Sequence, residues 1–195
     1  MPQLVEPVID PRLLDGVAQP EIAAGELTLR TWSAADVPSL IRAYGDADIQ
    51  QWHLRSLESE SEAVALIDEW SDRWRYGIGA SWAVVRSSDA TVVGQVAFRA
   101  LYLVDGLAEV SYWVLPRARR SGVATRATRA LGDWAIDDLG LVRLELVHSV
   151  HNPPSCRVAL QAGFLVEGTK RMLQRHLDGF HDMHLHSRIR GDKTP

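Results

Sequence analysis

The sequence is short of cysteine, of long apolar runs and of positive charge, and each shortage excludes a class of protein. A single cysteine among 195 residues cannot form an intramolecular disulfide, which excludes a disulfide-stapled secreted scaffold. No apolar run is long enough to span a bilayer, and the first ten residues lack the basic start and apolar core of a signal peptide. We therefore expect a cytoplasmic protein without a membrane partner.

Lys and Arg number 21 against 25 Asp and Glu, which gives a net charge of -4. A general nucleic-acid binder is usually basic overall, so we expect no nucleic-acid partner. The length fits one domain with a substantial core, and 46% hydrophobic residues is ordinary for a globular protein.

Hydrophobic periodicity predicts an α/β domain with a mixed sheet, in the order β-α-α-β-β-β-α-β-α-β-β. Four prolines mark residues 1–25 as an N-terminal arm, which packs onto the body, onto a second subunit, or lies partly ordered at the surface. The domain then covers 26–190, and 191–195 form a tail. Strands are expected at 27–30, 81–85, 91–98, 109–115, 142–150, 164–172 and 182–189.

An arginine-rich stretch, LPRARRSGVATRATRAL at 115–131, joins a predicted strand to a predicted helix. The backbone N–H groups from about Arg120 to Ala124 fall at the helix start, where they lack intrahelical partners and attract anions. Gly122 lets a phosphate approach the backbone, and the alanine at 124 keeps the site open. The alternative is a solvated basic face, for which Arg117, Arg126 and Arg129 qualify equally well.

Two familiar nucleotide-binding loops are excluded. No G-x-x-x-x-G-K-[ST] run is present. Gly77-Ile78-Gly79 begins a G-x-G motif but lacks the third glycine of a dinucleotide fingerprint.

The stretch resembles the acetyl-CoA loop of the GNAT N-acetyltransferase superfamily, [Q/R]-x-x-G-x-[G/A], here Arg119-Arg120-Ser121-Gly122-Val123-Ala124. Further features in the same order make residues 26–190 similar to the RimJ/RimL-like ribosomal-protein acetyltransferase branch. They are EVSYWVLP before the loop, then Asn152-Pro153-Pro154-Ser155, Gly163-Phe164, Glu167-Gly168 and Asp182. The loop departs from the family pattern at Arg120, where glycine is more usual.

The resemblance implies the GNAT acyl-CoA acyltransferase fold, a mixed, mostly antiparallel sheet of about seven strands flanked by helices. It also implies direct transfer of an acetyl group from acetyl-CoA to a primary amine. The acceptor is a protein N-terminus or a small molecule, and the branch suggests a homodimer. Two alternatives remain open: a catalytically silent acyl-CoA-binding sensor on the same fold, and a site for another phosphate or nucleic acid.

The resemblance also implies cofactor-binding residues. Pantetheine would pair with the exposed strand edge from Tyr112 to Leu115, where the N–H groups of Trp113 and Val114 are candidate oxyanion donors. The pyrophosphate would lie on the loop at Arg119, Arg120, Ser121, Gly122, Val123 and Ala124. Asn152 and Ser155 would contact the cofactor at the next helix start.

Glu109 is the candidate general base, with a simple strand-end salt bridge as the alternative. Many relatives place a tyrosine acid seven residues after the asparagine, but that position here is Ala159. Ser155 is the substitute that the branch suggests, and the alternative is that it only caps backbone N–H groups.

Candidate acceptor contacts are Trp52, His53 and His181, although Trp52 also fits a core position. Of His181, His184 and His186 only the last two share a strand face, and no cysteine or carboxylate pattern completes a site, so no metal is expected. Cys156 would permit an acetyl-cysteine intermediate, but a lone cysteine is more often a small buried residue.

Overall fold

The computed structural model describes residues 4–192, which form an eight-stranded sheet with helices on both faces. The strands are β1 Ile22–Ala24, β2 Leu27–Thr31, β3 Ala80–Arg86, β4 Val92–Tyr102, β5 Leu107–Val114, β6 Arg143–Ser149, β7 Leu165–His176 and β8 Gly179–Ile189. The helices are α1 Val37–Tyr44, α2 Ala47–His53, α3 Glu60–Arg75, α4 Val123–Asp137 and α5 Pro153–Gln161. None of the helices among the described residues is both long and apolar enough to cross a bilayer.

The strand order is β1-β2-β3-β4-β5-β6-β8-β7, and every neighbouring pair is antiparallel except β5 with β6. The expected mixed, mostly antiparallel sheet is therefore confirmed, with one strand more than expected. The additional strand is β1, which lies within the predicted arm and pairs with β2 through Ile22 and Leu29.

The rest of the arm packs onto the body of the same chain. Ile9 and Leu14 are buried in the main core, and the N–H of Val8 donates to the Val104 carbonyl. Apolar side chains in a proline-rich segment thus act as core residues although the segment has no regular period. Of the predicted tail, 193–195 lie outside the described residues.

The helices divide between the faces of the sheet. Helices α4 and α5 cover one core, and α1, α2 and α3 cover the other. The sequence predicts only two helices before β3 and misses α2. This helix has seven residues and buries only Ile49, so its apolar stripe is too short to reveal a period.

Strands β5 and β6 pair only over Leu107–Val110 and Arg143–Leu146. Beyond Val110, β5 remains paired with β4 as far as Val114. One edge of β5 is thus left facing a gap, and the loop to α4 begins where this edge ends.

A buried ion pair fixes the point where the chain leaves β2 for α1. Two nitrogens of Arg30 donate to the Asp36 carboxylate at 2.7 and 2.8 Å, and Ser33 donates to it through N–H and hydroxyl. Burial alone would raise the pKa of Asp36, but these hydrogen bonds outweigh burial and lower it.

We expect Asp36→Asn to reduce the free energy of unfolding by about 2–3 kcal/mol, because it leaves Arg30 without its charged partner. Since the folded pKa is lowered, the carboxylate's contribution is present above the ordinary pKa of about 3.9 and is lost as the pH falls through the folded value. Urea unfolding at several pH values measures this loss. The control is Asp72→Asn, whose exposed pair with Arg75 should contribute less than about 0.5 kcal/mol. Equal effects of the two substitutions would contradict the prediction.

Candidate active site

A cleft of about 900 Å³ opens at the gap between β5 and β6. Its walls come from β5, the loop before α4, the first turns of α4 and α5, and α2. Most of the predicted site residues lie on it, namely Trp52, His53, Glu109, Trp113, Val114, Arg119, Arg120, Gly122, Val123, Ala124, Asn152 and Ser155.

The start of α4 presents unpaired backbone donors to the cleft. Gly122 is the N-cap residue at φ +75°, a left-handed conformation that favours glycine. The first helical hydrogen bond runs from the N–H of Arg126 to the Gly122 carbonyl at 3.0 Å, so the N–H groups of 123–125 have no partner within the helix. A Cβ at Gly122 would lie 2.9 Å from Nη1 of Arg126, so this guanidinium stands beside the cradle.

The arginines of the stretch have separate roles in the structure. Arg119 forms ion pairs with Asp46 and Asp48, and its Nε donates to the Val114 carbonyl at 3.2 Å. Its guanidinium therefore holds α2 against the loop, which argues against the expected phosphate contact. Arg129 donates to the Gln161 carbonyl.

Arg120 is exposed and has φ +62°, a left-handed conformation that favours glycine over a residue with a side chain. The hydroxyl of Ser121 donates to the Ala118 carbonyl at 2.8 Å and is occupied within the loop. Its expected contact with the cofactor is therefore limited to its backbone.

Two of the cofactor contacts predicted on β5, those of the Leu115 and Trp113 N–H groups, are not available, because both groups point toward β4. The N–H of Leu115 donates to the Val93 carbonyl on β4 at 2.9 Å. Because strand residues alternate in direction, Trp113 also points its N–H toward β4, opposite Gln95, whereas Tyr112 and Val114 point theirs into the gap. Of the two N–H groups expected as oxyanion donors, only that of Val114 therefore faces the gap.

The start of α5 brings three polar groups together. Oδ1 of Asn152 accepts from the N–H of Ser155 at 3.2 Å, which confirms Asn152 as the cap. The Ser155 hydroxyl lies 2.8 Å from the hydroxyl of Tyr112 on β5, so its side chain is not the cap. Burial raises the pKa of Tyr112 to about 12, which keeps this phenol protonated at neutral pH. Sequence reasoning missed the Tyr112 side chain because its partner is 43 residues away.

Glu109 lines the cleft and forms an ion pair with Arg99 at 2.6 Å. Arg99 is the extra residue of a β-bulge in β4, where the register shifts between Phe98 and Ala100. The salt bridge named as the alternative is therefore present, although half of the Arg99 side chain is exposed and the cleft still reaches Glu109.

His53 lies on the far wall, at the end of α2. Its Nε2 is 2.9 Å from the Tyr112 carbonyl, and since a carbonyl only accepts, Nε2 carries the proton. Burial lowers the pKa of His53, so its Nδ1 offers a lone pair.

The other two predicted acceptor contacts lie beside one another. Trp52 packs edge-on against His176 with ring centroids 5.7 Å apart. His181 is buried behind this pair: its ring stacks on His176 at 4.2 Å, and its nitrogens contact Ser149 and Asp178. His176, which sequence reasoning missed, therefore presents the imidazole on the cleft wall in place of His181.

The expectation that no further ligand completes a histidine cluster is wrong. His184 and His186 meet His148 of β6 and Cys156 of α5, with ligand atoms within 4.8 Å of one another. The pair His148 and Cys156 is separated from the pair His184 and His186 by 28 residues, and strand pairing between β6 and β8 brings the two pairs together.

The fold is shared with solved acetyltransferase structures. A family model for the acetyltransferase (GNAT) domain matches residues 26–165. The chain belongs to the GNAT acetyltransferase family.

Relatives extend this finding. An uncharacterized N-acetyltransferase of Bacillus subtilis (strain 168), YoaA, is 25% identical over 153 residues, 78% of this chain and 86% of YoaA. The ribosomal-protein-serine acetyltransferase of Escherichia coli (strain K12) is 29% identical over 98 residues, 50% of this chain and 55% of that protein.

A solved structure described as RimL, a ribosomal L7/L12 alpha-N-protein acetyltransferase in complex with coenzyme A, matches with a TM-score of 0.80. It is 20% identical and covers 87% of this chain and 98% of its own, so it bears on the fold alone. Together these findings confirm the predictions of a GNAT fold and of an N-acetyltransferase.

Proposed function

We propose that the protein transfers an acetyl group directly from acetyl-CoA to the N-terminal amine of a protein. The observation that carries the proposal is the continuous path from the free edge of β5 to the helix start at Gly122. The amides of an extended pantetheine can pair with the free strand edge, and the pyrophosphate at its end can bind the helix N-terminus. The named activities of the relatives support a protein acceptor.

Acetyl-CoA would bind by backbone groups more than by side chains. The pyrophosphate would lie on the N–H groups of 123–125, with the positive end of the helix dipole and Arg126 adding attraction. The exposed Arg120 is free to turn toward the phosphates, and Asn152 lies at the thiol end.

The chemistry then needs a base, an oxyanion donor and an acid. Glu109 would take the proton of the amine as its nitrogen attacks the thioester carbon. The N–H of Val114 would stabilise the carbonyl oxygen as it becomes negative. When the C–S bond breaks, Ser155 would protonate the thiolate and recover a proton from Tyr112, 2.8 Å away, and Tyr112 would regain its proton from solvent in the cleft.

The acceptor would enter between α2 and the β7–β8 end of the sheet. Trp52, His53 and His176 make this wall aromatic, and Glu109 supplies negative charge for a cationic amine. A homodimer, suggested by the resemblance, and a cytoplasmic location, expected from the composition of the sequence, complete the proposal.

The test is thiol release from acetyl-CoA across a panel of peptides with different first residues, free amino acids, polyamines and an amino sugar. We expect turnover on peptides, with mass spectrometry locating the acetyl group on the α-amine. Turnover only on small amines would replace the proposed acceptor. Acetyl-CoA binding without turnover on any acceptor would favour the silent sensor.

We expect Glu109→Gln to lower kcat by about 10²-fold at neutral pH, because the amine must then lose its proton without a positioned base. The loss should be largest at low pH, where most of the amine is protonated. The measurement is the pH–rate profile on the best peptide.

His53→Gln is the comparison, because the unprotonated Nδ1 of His53 is a second candidate proton acceptor on the cleft. A wild-type profile for Glu109→Gln together with an altered profile for His53→Gln would transfer the role of base to His53.

A further inference from the structure

Three histidines and the single cysteine converge on the face of the sheet that α5 covers. His148 of β6 is paired in register with His184 of β8, and His186 stands two residues further along β8. Period-two alternation therefore directs all three imidazoles to the same face. Cys156, in the first turns of α5, completes the group, and the four ligand atoms lie within 4.8 Å of one another.

We propose that His148, His184, His186 and Cys156 bind one zinc ion. Imidazole nitrogen and thiolate sulfur are the donors that zinc prefers, and four of them complete a tetrahedron. Zn–N bonds of about 2.0 Å and Zn–S bonds of about 2.3 Å put neighbouring donor atoms roughly 3.3–3.6 Å apart. The atoms that now lie furthest apart, within 4.8 Å, need to close by about 1.5 Å at most, a shift within reach of side-chain rotation.

The orientation of His148 supports this assignment. Its Nδ1 is 2.8 Å from the Ser149 carbonyl, so Nδ1 carries the proton and Nε2 has the free lone pair. Metal-binding histidines commonly donate their second N–H to a carbonyl in this way, which fixes the tautomer and the ring. Nε2 of His148 lies 3.0 Å from Nε2 of His186, close to the donor spacing of a tetrahedral site.

The buried Nδ1 of His184 and the position of His148 on the cleft also suit a metal ion. Nδ1 of His184 is buried and, among residues 4–192, has no hydrogen-bond partner, an arrangement that a metal bond would relieve. His148 also lines the cleft, which gives an ion a route in from solvent. The site does not depend on the proposed acetyl transfer.

The experiment uses the full-length chain without a histidine tag, stripped with a chelating resin and titrated with Co²⁺. We expect one Co²⁺ ion to bind per chain and to give an ultraviolet thiolate-to-cobalt charge-transfer band. One equivalent of Zn²⁺ should displace the cobalt and remove the band. Zinc at about a hundred times its Kd should raise Tm by roughly 5–10 °C.

Cys156→Ser should abolish the charge-transfer band and weaken Co²⁺ binding by at least about 100-fold, because it removes the sulfur ligand. His148→Asn should weaken binding similarly. The matched control is His151→Asn, since His151 is exposed on the loop after β6 and should leave binding unchanged.

Failure of the wild-type chain to bind Co²⁺ or Zn²⁺ more tightly than the Cys156→Ser variant would overturn the proposal. In that case His148 and His186 would be only a hydrogen-bonded pair in the core. A band that persists in Cys156→Ser would also overturn it.

Discussion

Gly122→Asp is expected to raise the Kd for acetyl-CoA by at least about 100-fold, measured by calorimetric titration. The substitution puts a carboxylate among the backbone donors that would hold the pyrophosphate, so like charges repel. The new side chain also meets Arg126, whose Nη1 lies 2.9 Å from the Cβ position, and its carboxylate would pair with that cation. Binding therefore loses both the open cradle and a positive charge.

The matched control is Gly122→Asn, which has nearly the same shape and tolerates the left-handed φ of +75° about as well. It should raise Kd by only about 10-fold, because it lacks the charge. The expected difference of about 10-fold between the two variants corresponds to about 1.4 kcal/mol. Unchanged affinity in Gly122→Asp, with the fold intact by circular dichroism, would exclude the helix start as the phosphate site.

Ser155→Ala is expected to lower kcat by about 10²-fold while leaving KM for acetyl-CoA within a factor of about three. Loss of a positioned general acid typically has this effect, since the thiolate must then leave without a proton. Tyr112→Phe should lower kcat by about 10-fold, because it acts on the thiolate only through Ser155. The measurement is steady-state kinetics on the best peptide from the panel.

The double variant distinguishes a relay from two separate roles. If Tyr112 acts through Ser155, the double variant should be no slower than Ser155→Ala alone. Tyr102→Phe is the control, since Tyr102 is about half exposed on β4 and should leave kcat unchanged. Multiplying losses in the double variant would give Tyr112 an independent role, and an unaffected Ser155→Ala would exclude the serine as the acid.

The loop before α4 was predictable because its signal is local. A strand end, a glycine and a helix start lie within about ten residues, and the anion site comes from backbone geometry that those residues dictate. The prediction of a turn at Gly122 is therefore correct, but the structure pairs Arg119 with Asp46 and Asp48 and puts Arg126, expected on a solvated face, beside the glycine. Which of these arginines turns toward Gly122 depends on partners such as Asp46 and Asp48, more than seventy residues earlier.

Contacts between distant segments account for what the sequence did not predict. Alternation along β5 was visible, but the edge that faces the gap depends on β4 pairing through Val93 and Leu115. Helix α2 was missed because seven residues with one buried side chain carry too weak a period. His181 was an expected acceptor contact, and only stacking on His176 moves it behind the cleft wall.

The sequence by itself determined the class of fold, the acetyltransferase family and the position of the helix start at Gly122. These three features depend on hydrophobic periodicity and on short motifs, and both reflect interactions between residues that are close together in the chain. The tertiary structure alone decided that the hydroxyl of Tyr112 meets that of Ser155 and that Cys156 joins three histidines. It also decided that the backbone N–H of Val114, and not that of Trp113, faces the gap. Those groups come together because strands pair across long separations, and register, not spacing in the chain, sets which side chains share a face.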